Sequence, residues 1–156
     1  MSTKRLPPQS GVALVEFALV LPVLLVLTVA TTEIGRALYE YNTVAKAVRA
    51  AARYMSMQDP ADTTAPPIAR TLVQFGRPAP NDGAAPLAPG WLNSTNTPVT
   101  TIAWRVDGVD PVVNYVSVEV TGYTFTPMVA RLFGLQIGGA GGIVFPSISA
   151  SMRGQL

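Results

Sequence analysis

The sequence contains no cysteine and no histidine. Disulfide bonds are therefore excluded, as are zinc sites built from Cys or His ligands and catalysis by either residue type. Lysine is also scarce: Lys4 and Lys46 are the two lysines of the chain, which leaves little from which to build a Ser–Lys dyad. We therefore predict a protein that is not an enzyme and that uses no cofactor and no metal ion.

Charged residues are few, at 13% of the chain, and they nearly balance, with 11 basic and 9 acidic residues. Lys4 and Arg5 account for the net charge of +2, and no block of like charge follows them. A nucleic-acid-binding surface needs clustered cations that neutralise phosphates. The charge pattern therefore predicts no nucleic-acid partner.

Long apolar runs are present, by contrast, and the longest organises the chain. It extends from Ser10 to Thr32, SGVALVEFALVLPVLLVLTVATT, and contains a single charge, Glu16. From Val12 to Thr32, a helix rising about 1.5 Å per residue would cover about 31 Å, the thickness of a bilayer's hydrocarbon core. The run predicts a transmembrane helix over residues 12–32.

Three interpretations of this helix are open: a cleaved secretory signal, a plain anchor, or a membrane helix that begins at a processed bond after Gly11. Thr28-Val29-Ala30 is a poor signal-peptidase site, and a Glu early in the apolar core is unusual for a signal peptide. Residues 1–11 contain two prolines and resemble a leader rather than part of a fold. In both membrane interpretations the Lys4/Arg5 end is expected to be cytoplasmic.

The helical pattern continues beyond the membrane. An apolar stripe at spacings of four and three residues predicts one helix of about 45 residues that ends before Asp59-Pro60. Arg36 and Glu40 are four residues apart and can form an ion pair. The last turns of the stripe are expected to pack on the distal part of the chain, whereas a partner helix could cover the turns nearer the membrane. The stripe consists of Ile34, Leu38, Tyr41, Ala45, Val48, Ala52 and Met55.

Two residues inside the apolar run call for an explanation. Pro22 removes one backbone hydrogen bond, and it is either a tolerated membrane proline or a point at which the helix unwinds when it packs in a filament. Glu16 is costly in the apolar layer. If the chain is cut after Gly11, the new α-amine of Val12 lies one turn from Glu16, and pairing between subunits would make Glu16 a register device for assembly. The alternative is a carboxylate that reaches the headgroups.

The distal part of the chain predicts a small antiparallel sheet. A short helix is expected at residues 67–75, then a Pro-rich loop at 77–98, and a second short helix after Thr126. The first helix is expected to cover the apolar face of the sheet, together with the end of the long helix. Trp91 in the loop either folds back onto the core or forms a contact surface. Alternating strands are predicted around Ile102–Val106, Val116–Val120 and Ile148–Met152.

The residues at the N-terminus match a family pattern. Gly11-Val12 followed by Glu16-Phe17 resembles prepilins, which an inner-membrane prepilin peptidase cuts after the Gly. The wider block VEFALVLPVLL, with GRALY at 35–39 and AVRAAARY at 47–54, resembles the TadE/TadG-like pseudopilins of the tight-adherence (Flp) pilus system, and the chain length favours the TadE group. Prepilins usually continue as Phe-Thr-Leu after the cut, which this chain does not.

The resemblance implies an α+β, pilin-like protein of the bacterial inner membrane with a periplasmic C-terminal domain. It implies a minor pseudopilin whose partners are the prepilin peptidase, other pilins or pseudopilins, and the inner-membrane assembly platform. Glu16, Phe17 and Pro22 would then be assembly contacts. The alternative is a membrane-anchored adhesin or binding module that uses the Pro-rich loop and Trp91. The implied division is a leader at 1–11, a membrane segment at 12–32, a periplasmic continuation of the helix at 33–58 and an α+β domain at 59–156.

Overall fold

A computed structural model describes residues 10–92, 97–129, 131–132, 135–136 and 142–155 of the chain. Most of the expected leader, residues 1–9, lies outside the described residues. The elements are helix α1 (Ser10–Ser56), helix α2 (Ala65–Phe75), a 3-10 helix (Pro89–Leu92), and strands β1 (Val99–Asp107), β2 (Val113–Thr121), β3 (Thr124–Phe125), β4 (Arg131–Leu132), β5 (Leu135–Gln136), β6 (Ile143–Val144) and β7 (Ile148–Arg153). The fold is α+β, as predicted.

Helix α1 is continuous over 47 residues and passes through Pro22 without interruption. The prediction of one long helix is confirmed. In its first half the hydroxyl groups of Thr28, Thr31 and Thr32 each donate a hydrogen bond to the carbonyl oxygen four residues earlier. These three hydroxyl groups are therefore satisfied within the helix, which suits a lipid environment.

The main sheet has three antiparallel strands in the order β1-β2-β7. The central strand presents Val116, Val118 and Val120 to the core, and all three are fully buried. Val118 lies opposite Ile102 on one side and Ala150 on the other. The alternation of apolar and polar residues in the sequence thus predicted the strands and their buried face, because successive side chains of a strand point to opposite sides.

The second half of α1 covers this sheet. Val44, Val48, Ala51 and Met55 are fully buried in one core with the valines of β2. The prediction that the end of the long helix covers the sheet is confirmed, whereas the cover expected from residues 67–75 was wrong, because α2 packs mainly on α1 and makes little contact with the sheet. Buried alanines lie on both helices, among them Ala51 on α1 and Ala69 on α2.

Helix α2 begins at Ala65, two residues before the predicted start, and places Pro66 and Pro67 in its first turn. This is where a missing N–H costs least. Its end is as predicted: Gly76 has φ 72°, and its N–H bonds the carbonyl of Leu72 at 2.9 Å. A left-handed residue at this place favours glycine.

The second short helix, predicted after Thr126, is wrong for the described residues. Residues 127–129 are not helical, and Arg131–Leu132 pairs with Leu135–Gln136 as a two-residue strand pair. The backbone N–H groups of Met128 and Val129 bond the carboxylate of Glu33 on α1, so these residues lie against the long helix. The Pro-rich loop is also less irregular than predicted, since it contains the 3-10 helix.

Candidate functional site

The first candidate region is the N-terminal surface of α1, which we define as Gly11, Val12, Glu16, Phe17 and Pro22, the residues predicted for processing and assembly. All five lie on the first four turns of α1. Val12 is 70% exposed and Glu16 and Phe17 are also exposed. Glu16 takes part in neither ion pair among the described residues. The helix places Val12 about 6 Å along its axis from Glu16, which is one turn.

One described helix, Gly11–Ser56, is long and apolar enough to cross a membrane, and none of its most apolar window is buried by the described residues. The described domain packs only on the second half of this helix. Eleven large apolar side chains between Val12 and Leu27 would otherwise face water, an arrangement that marks a membrane or protein contact.

The predicted partner stripe divides into two parts. Val48 is fully buried within the chain, so it presents no surface to a partner. Tyr41 packs edge-on against Phe145, with ring centroids 5.7 Å apart. Ile34 and Leu38 are exposed by more than half. The division lies between Leu38 and Tyr41, where α1 enters its own domain.

The second region is a polar cluster, the junction network, which we define as Glu33, Arg36, Glu40 and Tyr123. It lies where the apolar half of α1 meets the domain. Glu33 and Glu40 are only 5% and 6% exposed. Arg36 lies between them on the same helix face, and Tyr123 reaches them from the segment between β2 and β3.

Each carboxylate oxygen of the junction network has a partner. Glu33 Oε2 binds Arg36 Nη1 at 2.7 Å, while its Oε1 accepts the backbone N–H groups of Met128 at 2.9 Å and Val129 at 3.2 Å. Glu40 Oε1 lies 3.6 Å from Arg36 Nη2, and its Oε2 accepts the Tyr123 hydroxyl at 2.9 Å. The predicted Arg36–Glu40 pair is therefore confirmed. Burying two carboxylates beside one guanidinium is tolerable because neutral donors compensate the excess negative charge.

Tyr123 connects the network to the rest of the domain. Its hydroxyl oxygen accepts the N–H of Gly90 at 3.1 Å while its proton goes to Glu40. Burial raises the pKa of the Tyr123 hydroxyl well above its usual range, and the hydrogen bond and negative charge of Glu40 raise it further. The hydroxyl therefore remains a proton donor to Glu40 at physiological pH.

Gly90 is a position that only glycine fits. A Cβ there would lie 2.5 Å from Tyr123 Cζ and 2.8 Å from the carbonyl oxygen of Thr124. Both distances are shorter than van der Waals contact, and one of the atoms belongs to the backbone. The 3-10 helix thus approaches the ring of Tyr123 closely enough to donate its hydrogen bond.

Gly90→Ala is expected to destabilise the domain by about 2 kcal/mol, because Tyr123 must move and leave a buried carboxylate without its donor. Gly35→Ala is the matched control: nothing lies within 4 Å of its Cβ, and alanine favours a helix by up to about 1 kcal/mol. The midpoint of thermal unfolding of the full chain in detergent should fall for Gly90→Ala and stay level or rise for Gly35→Ala. Equal midpoints would contradict the role given to Tyr123.

Sequence reasoning missed most of this network. Only the Arg36–Glu40 pair was expected. The signal was nevertheless present, since Glu33, Arg36 and Glu40 continue toward the membrane the same helix face as Val44 and Met55, at spacings of three or four residues. A search for apolar periodicity misses this helix face, because its residues nearest the apolar half of α1 are charged.

Trp91 belongs to the core and not to a contact surface. It is 9% exposed and packs edge-on against Tyr123, with ring centroids 6.1 Å apart. Its indole Nε1 is buried and has no hydrogen-bond partner among the described residues. Within the part of the chain that the structure describes, no three carboxylates come together that could hold a metal ion.

The family model described as TadE-like protein matches residues 11–53. The match covers nearly all of α1 and includes Gly11, Val12, Glu16 and the three α1 residues of the junction network. The resemblance of this helix to the TadE group is thus confirmed. No curated protein and no solved structure matches the chain.

Proposed function

We propose, from the premise that residues 11–53 are a TadE-like segment, that the chain is a minor pseudopilin of a tight-adherence pilus system. The observation that carries the proposal is α1 itself. It is one continuous helix with a Gly-Val and Glu-Phe pattern at its start, an uncovered apolar half, and a folded domain packed only on its other half.

In this proposal the chain is cut after Gly11 by a prepilin peptidase. Val12 then carries a free α-amine at the start of the membrane helix. Lys4 and Arg5 place the leader in the cytoplasm, so residues 33–58 and the domain at 59–156 lie in the periplasm. The protein is held in the inner membrane until it takes part in assembling or initiating the pilus.

Two surfaces are available for partners. Glu16 is exposed in the apolar half of α1, where the α-amine of a neighbouring subunit would offset the cost of its burial and set the axial offset between helices. Ile34 and Leu38 extend this surface just beyond the membrane, because both are exposed on α1. Other pilins or pseudopilins and the assembly platform are the proposed partners.

A purely structural role fits this arrangement better than the adhesin alternative. The adhesin interpretation used Trp91 as a contact residue, but Trp91 is buried against Tyr123. The loop that contains it is tied to α1 through the N–H of Gly90 and the Tyr123 hydroxyl. It therefore supports the junction network and keeps its one tryptophan away from solvent.

The N-terminus of the membrane-extracted protein tests the proposal. Mass spectrometry of protein from cells with an active prepilin peptidase should find Val12 as the first residue, and cells lacking the peptidase should retain the leader. A Gly11→Leu variant should remain unprocessed in both strains. A chain that still begins at Met1 or Ser2 in the active strain would remove the pseudopilin assignment, and one cut after Ala30 would indicate a secreted protein.

A further inference from the structure

Strands β3 and β6 form a short ribbon that lies along α1. Three contacts define its direction. The Tyr123 hydroxyl lies at Glu40, the Phe125 ring lies 5.3 Å from the Arg36 guanidinium carbon, and the backbone N–H of Met128 lies at Glu33. As the chain advances from 123 to 128, it thus descends α1 from 40 to 33, about 10 Å toward the membrane end.

The returning strand follows the same path upward. Ile143 pairs with Phe125 and Val144 with Thr124, and the ring of Phe145 stacks on that of Tyr123 with centroids 5.4 Å apart. Gly142, at φ 92°, brings the chain close to the carbonyl of Phe125. The end of the ribbon that carries Met128 and Ile143 is therefore the end nearest the apolar half of α1.

The level of this end can be placed relative to a bilayer. If residues 12–32 fill the hydrocarbon core, Glu33 is the first residue beyond it, and Glu40 is about 12 Å beyond. The headgroup layer extends about 5–7 Å from the core on each side. Met128 and Val129, which bond Glu33, therefore lie at headgroup level, whereas Tyr123 lies outside it.

The described residues at this end of the ribbon are apolar and exposed. Met128 is 79% exposed and Ile143 42%. From Thr126 to Pro146 the sequence contains one charged residue, Arg131. Exposed apolar side chains at this height are unfavourable in water, but they are stabilised when they enter the boundary between headgroups and acyl chains.

We propose that Met128 and Ile143 form a second membrane contact, which rests on the outer leaflet of the bilayer that α1 crosses. The geometry favours a phospholipid surface as the partner of this patch, because α1 holds the patch at the level of the lipid headgroups whenever the helix is inserted in a membrane. The junction network then has a purpose: it fixes the ribbon to α1 at two heights. The domain is held by the helix and the ribbon together, and its tilt relative to the membrane is restricted.

The proposal rests on the membrane insertion of α1, and the absence of cysteine allows both to be tested in one experiment. Single cysteines replace Met128, Ile143, Leu24 or Val109 in the full chain, and an environment-sensitive fluorophore is attached to each. The proteins are reconstituted into phosphatidylethanolamine/phosphatidylglycerol nanodiscs, with or without headgroup-labelled or acyl-chain-labelled nitroxide lipids.

Leu24 reports the membrane helix, and Val109 is the matched exposed control. Val109 is 93% exposed in the β1–β2 loop, at the end of the sheet that is tied to Ser56 through Gln155. Ser56 is 23 residues beyond Glu33 on α1, which is about 35 Å.

The expected result is loss of most Met128 and Ile143 fluorescence with headgroup nitroxide, loss of Leu24 fluorescence with acyl-chain nitroxide, and no loss at Val109. Met128 and Ile143 signals as insensitive as Val109, with Leu24 quenched, would overturn the second contact and leave the pseudopilin proposal intact. If the fluorophore at position 128 were shielded from solvent only after a second protein is added, the membrane contact would be overturned in favour of a protein partner. An unquenched Leu24 would overturn membrane insertion, and the second contact with it.

Discussion

Glu16→Ala is expected to reduce pilus-dependent surface attachment about tenfold or more while cleavage after Gly11 continues. The carboxylate lies on an exposed turn of α1, one turn from the α-amine that processing would create at Val12. An ion pair between the amine of one subunit and the Glu of the next contributes most to the free energy of association where no water competes with it. A loss of about 1.4 kcal/mol per contact lowers an association constant tenfold.

The design must separate processing from assembly. Attachment of cells to a surface and the amount of sheared pili are measured beside the N-terminal mass of the same protein. Glu119→Ala removes a carboxylate from the central strand of the sheet and is the control for lost negative charge. Glu16→Gln keeps the size of the side chain and should behave like Glu16→Ala. If Glu16→Ala cells were fully piliated with processed protein, the register role of Glu16 would be wrong.

Arg36→Met is expected to lower the free energy of unfolding of the domain by about 3 kcal/mol. Removing one member of a buried ion pair leaves an uncompensated charge, and here two carboxylates lose the same cation. The methionine keeps much of the apolar stem but removes the guanidinium group that lies over the Phe125 ring, so that contact is lost as well. The effect is larger than that of Gly90→Ala, because a charge and not a single hydrogen bond is left unpaired.

Arg49→Met is the matched control, since Arg49 is exposed on the same helix and lies outside both ion pairs. Its free energy of unfolding should change by less than about 0.5 kcal/mol. Denaturant unfolding of the full chain in detergent, followed by the fluorescence of the buried Trp91, measures both variants. The triple variant Glu33→Gln, Arg36→Met, Glu40→Gln should recover part of the loss, because no buried charge remains. Equal stability of Arg36→Met and Arg49→Met would contradict the junction network.

Sequence reasoning succeeded where one local signal dominated. The apolar run and the alanine-rich stretch after it predicted α1 to within a few residues of its ends, because a helix depends on contacts three or four residues apart. The three strands followed from alternation, as in Val116, Val118 and Val120. Gly76 marked the end of α2, because glycine readily adopts the left-handed conformation in which many helices end. None of these features needed knowledge of which elements are neighbours in space.

It failed where distant residues decide the local structure. Thr126-Pro127 carries a helix-start signal, but residues 127–129 are not helical and lie against α1, where Glu33, about 95 residues earlier, bonds the N–H groups of Met128 and Val129. Val48 belongs to the predicted partner stripe but is buried by the sheet. No local pattern indicates which face of a long amphipathic helix its own domain will occupy.

The sequence alone therefore determined the helix, its membrane-crossing length, the position of Glu16 behind Gly11, and the strands, because each depends on spacing along the chain. The tertiary structure decided how α1 is divided between its own domain and its surroundings. It also decided that Glu33, Arg36 and Glu40 hold Tyr123 and the ribbon. The physical reason is that a buried carboxylate is stable only when its donors converge from several elements, and that convergence exists only in the folded chain.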